Sequence, residues 1–299
     1  MAGTLHGYVT DVTYLRDFKP MQAPAWLDHV ALVGGVEPPD RGDGFAWCDL
    51  GCGQGVSAVV LAATHPSGRF FGIDAIPAHI DHARQLAAEA GIENATFETA
   101  DFAAAAEREY PPFDYIVAHG VYSWVDEASQ AALRRFFNRH LKPGGLVYIS
   151  YDAMPGWARD LPFQYRLRAL ADTFEGDSGR RAAAAAELIA SLARHGMAGL
   201  ASSRTLAELN KQPAEYPAAY LAHEFLHRGW RPLYVTEMRA AMRTIGLSPV
   251  GSATLIENDD ALALAEPARA ALAHIADADL RELVRDFFLD QRLRCDVFA

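Results

Sequence analysis

The residues with most capacity for chemistry are a set of carboxylates spaced along the first half of the chain, the first of them set against a glycine cluster. The stretch FAWCDLGCGQG, residues 45–55, places Gly51, Gly53 and Gly55 within five positions, just after Asp49. A loop so poor in side chains lets a ligand lie against backbone. A P-loop would follow its glycines with Lys and then Ser or Thr, and Val56-Ser57 supplies no Lys. The dinucleotide fingerprint is G-x-G-x-x-G, whereas this spacing is G-x-G-x-G with an acidic residue two positions ahead. Asp49 would repel a pyrophosphate. A carboxylate there suits a positive amine, whose charge-assisted hydrogen bonds it accepts.

Asp74 closes the next apolar run, GRFFGID, where a carboxylate can take both hydroxyls of a ribose. Ala75 and Ile76 follow and offer an apolar side to an adenine. Asp101 and Phe102, in TADF, supply an acceptor for the adenine amino group and a ring to close the pocket. Amine, ribose and adenine together describe S-adenosyl-L-methionine (SAM).

The elements that must position these groups alternate regularly from Phe45 onward. FAWCDL, GRFFGID, ATFETAD, FDYIVAHGV and LVYISY read as strands. GVSAVVLAATHP reads as a helix stopped at Pro66, and IPAHIDHARQLAAEAG as one with Pro77 near its start and Gly91 at its end. DEASQAALRRFFNRHL reads as a helix with Asp126 as its N-cap, and KPGG as the turn into LVYISY. Repeated strand–helix units predict an α/β fold, a doubly wound, mostly parallel seven-stranded sheet of Rossmann-like form, with a helical insertion. SPVGSATLIE and the terminal RLRCDVFA read as later strands, and EPARAALAHIADADLRELVRDFFLDQ as helical. We divide the chain into an aromatic-rich segment covering the cofactor (1–44), a SAM-binding core (45–156), a helical insertion or lid (157–235) and sheet completion with a further helical insertion (236–299).

DLGCGQG, GIDAI, TADF, FDYIVAHGVYSWV and LKPGGLVYIS, in that order, resemble the successive motifs of class I SAM-dependent methyltransferases over residues 45–151. The resemblance implies that Asp49, Gly51, Cys52, Gly53 and Gly55 cradle the methionine portion and Asp74 the ribose. It implies that Asp101 and Phe102 hold the adenine, and that His119 and Gly120 pass beside the sulfonium. AHGVYSWV, ISYDAMPGW and AAYLAHEFL further resemble bacterial methyltransferases that carry a methyltransferase regulatory domain. That group includes protein-lysine methyltransferases. Those relatives usually carry Asn where this chain has Asp152, and their chains typically continue past the closing strand.

Candidates for the transfer step cluster after the fourth strand and the fifth: His119, Tyr122 and Asp152 as catalytic groups, with Tyr122, Trp124 and Tyr151 facing the acceptor. His119 titrates nearest neutrality and is a candidate base, or a pocket-shaping residue. Tyr122 and Trp124 form either an aromatic wall for an ammonium or part of the core. Asp152 binds a cationic nucleophile or caps the following turn. His223 and Glu224 belong to a lid over the acceptor or to helix packing. The letters HEFLH (223–227) match H-E-x-x-H, but with no third ligand evident we expect no metal. Tyr8 and Tyr14 are expected at the cofactor's carboxylate, with Tyr14 and Phe18 folding over it.

Composition bounds the rest. Lys and Arg number 27 against 38 Asp and Glu, so 27 − 38 = −11, which argues against a nucleic-acid or anionic-lipid partner. Three cysteines without CxxC spacing predict reduced thiols, and MAGTLHGYVTDVTYL has no signal-peptide pattern, so the expected setting is cytoplasmic without membrane insertion. The expected partner is a methyl acceptor, a protein lysine first and a small molecule or glycan second. A non-catalytic SAM-binding regulator and a dinucleotide oxidoreductase are the readings from other classes.

Overall fold

Apolar runs too short for helices and bounded by turn residues build the sheet that organises this protein. The computed structural model describes residues 4–5, 8–13, 16–42, 44–212 and 216–299. A short ribbon, β1 (Thr4–Leu5) and β2 (Tyr8–Val9), precedes α1 (Pro24–Val33). The alternation then runs β3 (Phe45–Leu50), α2 (Val56–Thr64), β4 (Gly68–Asp74), α3 (Pro77–Glu89) and β5 (Ala95–Thr99). It continues through α4 (Phe102–Glu107), β6 (Phe113–Ala118), α5 (Glu127–His140) and β7 (Leu141–Asp152). Four helices follow: α6 (Leu161–Ala171), α7 (Ser178–Arg194), α8 (Arg204–Lys211) and α9 (Ala218–Phe225). The chain closes with α10 (Val235–Arg243), β8 (Pro249–Ser252), α11 (Asp260–Ala263), α12 (Glu266–Leu272), α13 (Ala278–Leu289) and β9 (Leu293–Phe298).

These elements fall into two compact units. The smaller comprises Met1–Leu15, Trp124–Asp126 and Gly156–Arg231, and the larger Arg16–Ser123, Glu127–Pro155 and Pro232–Ala299. The larger holds a seven-stranded sheet in the order β5-β4-β3-β6-β7-β9-β8. The first five strands of that order are parallel, and β9 runs antiparallel to both β7 and β8. Every residue of β3 and β6 is buried, as expected where helices cover both faces of a parallel sheet. One face buries Trp47, Phe70, Tyr115 and Tyr148 against α1, α2 and α3. On the other, Phe113 packs on Phe71 and stacks on Phe136 of α5.

Two local readings of the sequence are corrected. LKPGG belongs to β7, because Phe113 pairs with Leu141 and Lys142 Nζ donates to both Asp114 oxygens at 2.9 and 2.8 Å. A register break in the pairing opposite Phe113 and Tyr115 absorbs the glycines. The long helical run near the C-terminus is broken into α12 and α13, with the Asp277 side chain capping the latter through Leu280 N.

Residues 16–22 strap the front of the sheet. Arg16 Nε donates to Gln54 Oε1 (3.0 Å), Lys19 N to Ser57 Oγ (3.0 Å), and Trp47 Nε1 to the Gln22 carbonyl (3.0 Å). The smaller unit is helical, with no strand among its described residues beyond 156. Its core stacks Trp157 edge-on to Trp230 and Phe225, and Asp160 accepts from Ser203 Oγ (2.7 Å) and Thr205 N (3.1 Å). Among the described residues no helix is long and apolar enough to cross a membrane.

Where β9 meets α13, buried Arg294 reaches Asp286 (2.5 Å), Glu282 (2.8 Å) and Asp296 (3.1 Å). Truncating a buried cation strands its carboxylates in low dielectric, at about 3–5 kcal/mol. Arg294→Met is therefore expected to lower unfolding free energy by that amount in urea titrations followed by circular dichroism. An unchanged midpoint would show that the network contributes nothing to stability.

Candidate functional site

Open α/β sheets bind ligands beyond the carboxyl ends of their strands, where the strand order reverses. Here that point lies between β3 and β6, since the chain passes from β3 to β4 on one side and later returns to β6 on the other. The glycine loop leaves β3 and His119-Gly120 leave β6, so both fall at this crevice.

The loop is shaped by backbone bonds and by missing Cβ atoms. Gly51 N and Cys52 N both donate to the Ile73 carbonyl, at 2.8 and 3.1 Å. Asp74 Oδ2 accepts from Gly53 N (2.9 Å), while its Oδ1 accepts from Ile76 N (2.9 Å) and lies 3.2 Å from His79 Nδ1. Gly51, Gly53 and Gly55 all have positive φ, at 84°, 52° and 75°. A Cβ on Gly51 would sit 2.5 Å from Val121 Cγ2 and 3.8 Å from Phe102 Cζ, so loops from three strand ends converge there. A Cβ on Gly55 would meet Ala83 of α3 at 2.5 Å, whereas Gly53 and Gly120 face open space. Cys52 packs behind the loop, 3.0 Å from where a Cβ on Gly72 would lie, and burial pushes its thiol well up.

Asp49 is the buried carboxylate beside this loop. It is 4% exposed, and its Oδ1 meets no donor among the described residues. Burial first, and the Asp74 charge second, push its carboxyl up to about 8. A buried carboxylate oxygen without a donor, behind glycines without side chains, fits a ligand that brings its own cation. Asp74 spends lone pairs on the loop and on Ile76, and a carboxylate has about four to share, so a ribose hydroxyl can still be accepted. Ala75 and Ile76 are half-buried apolar positions beside it. Asp101 caps α4 by accepting from Ala104 N (2.7 Å), which fixes the backbone that carries Phe102.

His119 Nδ1 lies 2.7 Å from the Tyr148 hydroxyl, with the two rings parallel. Burial and the charge of Lys19 push its pKa down to about 4, against the opposing pull of Asp17. The ring is neutral at pH 7. Gly120 N donates to Ser150 Oγ at 2.7 Å. Tyr148 and Ser150, alternate residues on one face of β7, thus hold the loop that follows β6.

Other expected site residues are placed differently. Tyr122 is buried, its hydroxyl accepting from Arg134 of α5 and its carbonyl from Gln130 Nε2, so it packs rather than walls an acceptor. Tyr151 is a second correction: its hydroxyl donates to Asp296 (2.7 Å) inside the Arg294 network, away from solvent. Asp152 is buried at the end of β7, with its N–H on Ser123 Oγ (2.9 Å) and its carbonyl accepting from Leu233 N (2.9 Å). Trp124, His223 and Glu224 lie in the smaller unit, where Trp124 is buried and His223 Nε2 lies 2.8 Å from the Val12 carbonyl. The HEFLH letters do not form one helical face, because α9 ends at Phe225 and His227 lies beyond it, accepting from Gly229 N. Among the described residues no three His, Cys, Asp or Glu side chains are grouped to hold a metal ion. Tyr14 lies outside the described residues, as does the side chain of Tyr8. Phe18 is on the strap and partly exposed.

Reading the sequence missed His79, Arg16, Gln54, Tyr148 and Ser150. The period-2 pairing of Tyr148 with Ser150, and the place of His79 in the first turn after Asp74, were the available signals.

A carboxylate-led glycine loop after the first strand of the sheet, a ribose-spaced acid after the second and an antiparallel closing strand define a class I SAM-dependent methyltransferase domain. The chain belongs to the family described as Methyltransferase domain, whose model matches residues 42–191, and a model described as Predicted methyltransferase regulatory domain matches 217–299. An uncharacterized protein of Synechocystis sp. is 32% identical over 293 residues, spanning 98% of this chain and 58% of its own length. Trans-aconitate 2-methyltransferase of Methylobacterium nodulans is 32% identical over 132 residues, 41% of this chain and 48% of that protein. The structure of PKMT2 from Rickettsia typhi in complex with AdoHcy superposes with a TM-score of 0.80 at 23% identity, covering 96% of this chain and 54% of that one. The chain spans only about half the length of these relatives, from 48% to 58% of each.

Gly53 and Gly55 separate ligand space from packing. Gly55→Ala is expected to cost about 1–3 kcal/mol through overpacking, with ~1 kcal/mol more for the left-handed backbone. Gly53→Ala carries only the backbone cost of ~1 kcal/mol but places a methyl in the open space where the resemblance implies the methionine portion sits. Thermal unfolding and SAM titration of both variants check this. Normal SAM affinity in Gly53→Ala would contradict the placement.

Proposed function

We propose that this chain binds SAM and transfers its methyl group to a lysine amine of a protein. The observation that carries the donor assignment is the buried Asp49 oxygen behind a glycine loop whose Gly53 position is open. In this reading Asp49 receives the amine, Asp74 the ribose hydroxyls, and Ala75, Ile76 and Phe102 flank the adenine. Asp101 faces the adenine amino group, while His119 and Gly120 line the path of the acceptor. The strap at residues 16–22 takes the covering role expected of the N-terminal segment.

SAM supplies a methyl on a sulfonium, already a good leaving group. The protein's part is alignment and exclusion of water. His119 is neutral, so its imidazole can hold an acceptor amine through a hydrogen bond without opposing the charge of an arriving lysine. Support for lysine comes from the resemblance of AHGVYSWV, ISYDAMPGW and AAYLAHEFL to methyltransferases of that group. A small carboxylic acid is the second reading, favoured by the identity shared with trans-aconitate 2-methyltransferases. Three free cysteines fit a reducing, cytoplasmic setting.

The test is incubation of the chain with methyl-labelled SAM and a bacterial lysate, with protein and small-molecule fractions counted separately. Label recovered as methyl-lysine is expected, and label confined to small acids would replace the lysine reading with the second. The rate is expected to rise with pH as the acceptor amine, with pKa about 10.4 when free, loses its proton. Because the His119 pKa is lowered, that ring is already neutral above about pH 5, and no inflection from it is expected between about pH 6 and 8. A rate that falls as pH rises would contradict an amine nucleophile.

A further inference from the structure

We propose that binding of the cofactor at the glycine loop displaces one proton from Asp49 to solvent, so that affinity is set by a titration inside the protein. This rests on the SAM reading above and adds a pH linkage to the same site.

Among the described residues no cation acts on Asp49. Its backbone is held between Gly72 of β4 and Val117 of β6, and its side chain is buried with one oxygen lacking a donor among the described residues. The titratable groups that face it are Cys48 on its own strand, Cys52 in the loop, Asp74 at the end of β4 and Tyr148 on β7. None of these is a cation. The cations of the strap are committed elsewhere, Lys19 Nζ to Asp17 at 2.6 Å and Arg16 Nε to Gln54 at 3.0 Å. His119, at the end of β6, is neutral. Asp74 adds a like charge.

An ionised carboxylate in that setting is poorly solvated and has one oxygen without a donor among the described residues, so the ligand-free site keeps the proton. The upward shift of the Asp49 carboxyl to about 8 agrees with this. When an ammonium arrives, the carboxyl O–H bond breaks, the proton leaves to solvent, and the carboxylate accepts an N–H from the ligand. One positive charge enters as one departs. The site therefore selects a cationic amine without ever holding a bare buried anion.

The linkage is read by titration calorimetry of the whole chain with S-adenosylhomocysteine, in buffers of different ionisation enthalpy at about pH 6.5. A free α-amino group, with pKa about 7.7–8.0, is then already protonated. We expect release of about one proton per ligand, and a Kd that falls roughly tenfold per pH unit below about pH 7, passes through a minimum at about pH 8 and rises above it as the ligand amine loses its own proton. Methylthioadenosine, which lacks the amine, is expected to bind without proton release. Asp49→Asn is expected to bind S-adenosylhomocysteine without pH dependence below about pH 7. Binding of S-adenosylhomocysteine with no buffer-dependent heat and a flat Kd overturns the proposal, even if the variant fails to fold. No binding at any pH would instead overturn the SAM reading.

Discussion

The carboxylate of Asp74 holds the rim of this sheet together. Its two oxygens bind Gly53 N and Ile76 N, tying the loop after β3 to the turn that starts α3. The bonds from Gly51 N and Cys52 N to the Ile73 carbonyl hold the start of the same loop, and Asp74 fixes its middle at Gly53. The remaining features follow from it. Gly51 can approach Val121 and Phe102 because the loop is drawn toward β4, and Asp49 is sealed beneath the same loop. One residue therefore serves both the architecture and the expected ribose contact. Such dual use is physically reasonable, since a carboxylate has lone pairs enough for both.

Charge is handled in two different ways in the larger unit. Around buried Arg294 three carboxylates gather, Glu282 also pairing with Arg239 and Arg285, and Tyr151 adds a donor. Around Asp49 no cation is found among the described residues. The first arrangement is closed and structural. The second is complete only with a ligand, which is the distinction between a buried network and a binding site.

The doubly wound sheet was legible in the sequence because its central strands β3 and β6 are buried on both faces and so read as continuous apolar runs, FAWCDL and FDYIVA. The glycine loop was legible because positive φ leaves a residue-type signature. What could not be read were partners distant in sequence. Tyr151 looks like any residue at a strand end until Asp296, 145 positions away, claims its hydroxyl. Tyr122 looks like an acceptor wall until Arg134 reaches it. HEFLH passes as a metal motif on letters alone, yet the helix stops two residues short of His227. KPGG reads as a turn because glycine and proline usually mark one, and here a pairing irregularity keeps it in a strand.

The central claim is that the loop from Asp49 to Gly55 seats a cationic amino-acid-bearing nucleoside rather than a pyrophosphate. Direct titration of the chain with SAM and, separately, with NAD(H) by calorimetry at about pH 8, near both the shifted Asp49 carboxyl and the ligand amine, tests it most directly. Saturable one-to-one binding of SAM and no heat from NAD(H) are expected. Binding of NAD(H) without binding of SAM would contradict it.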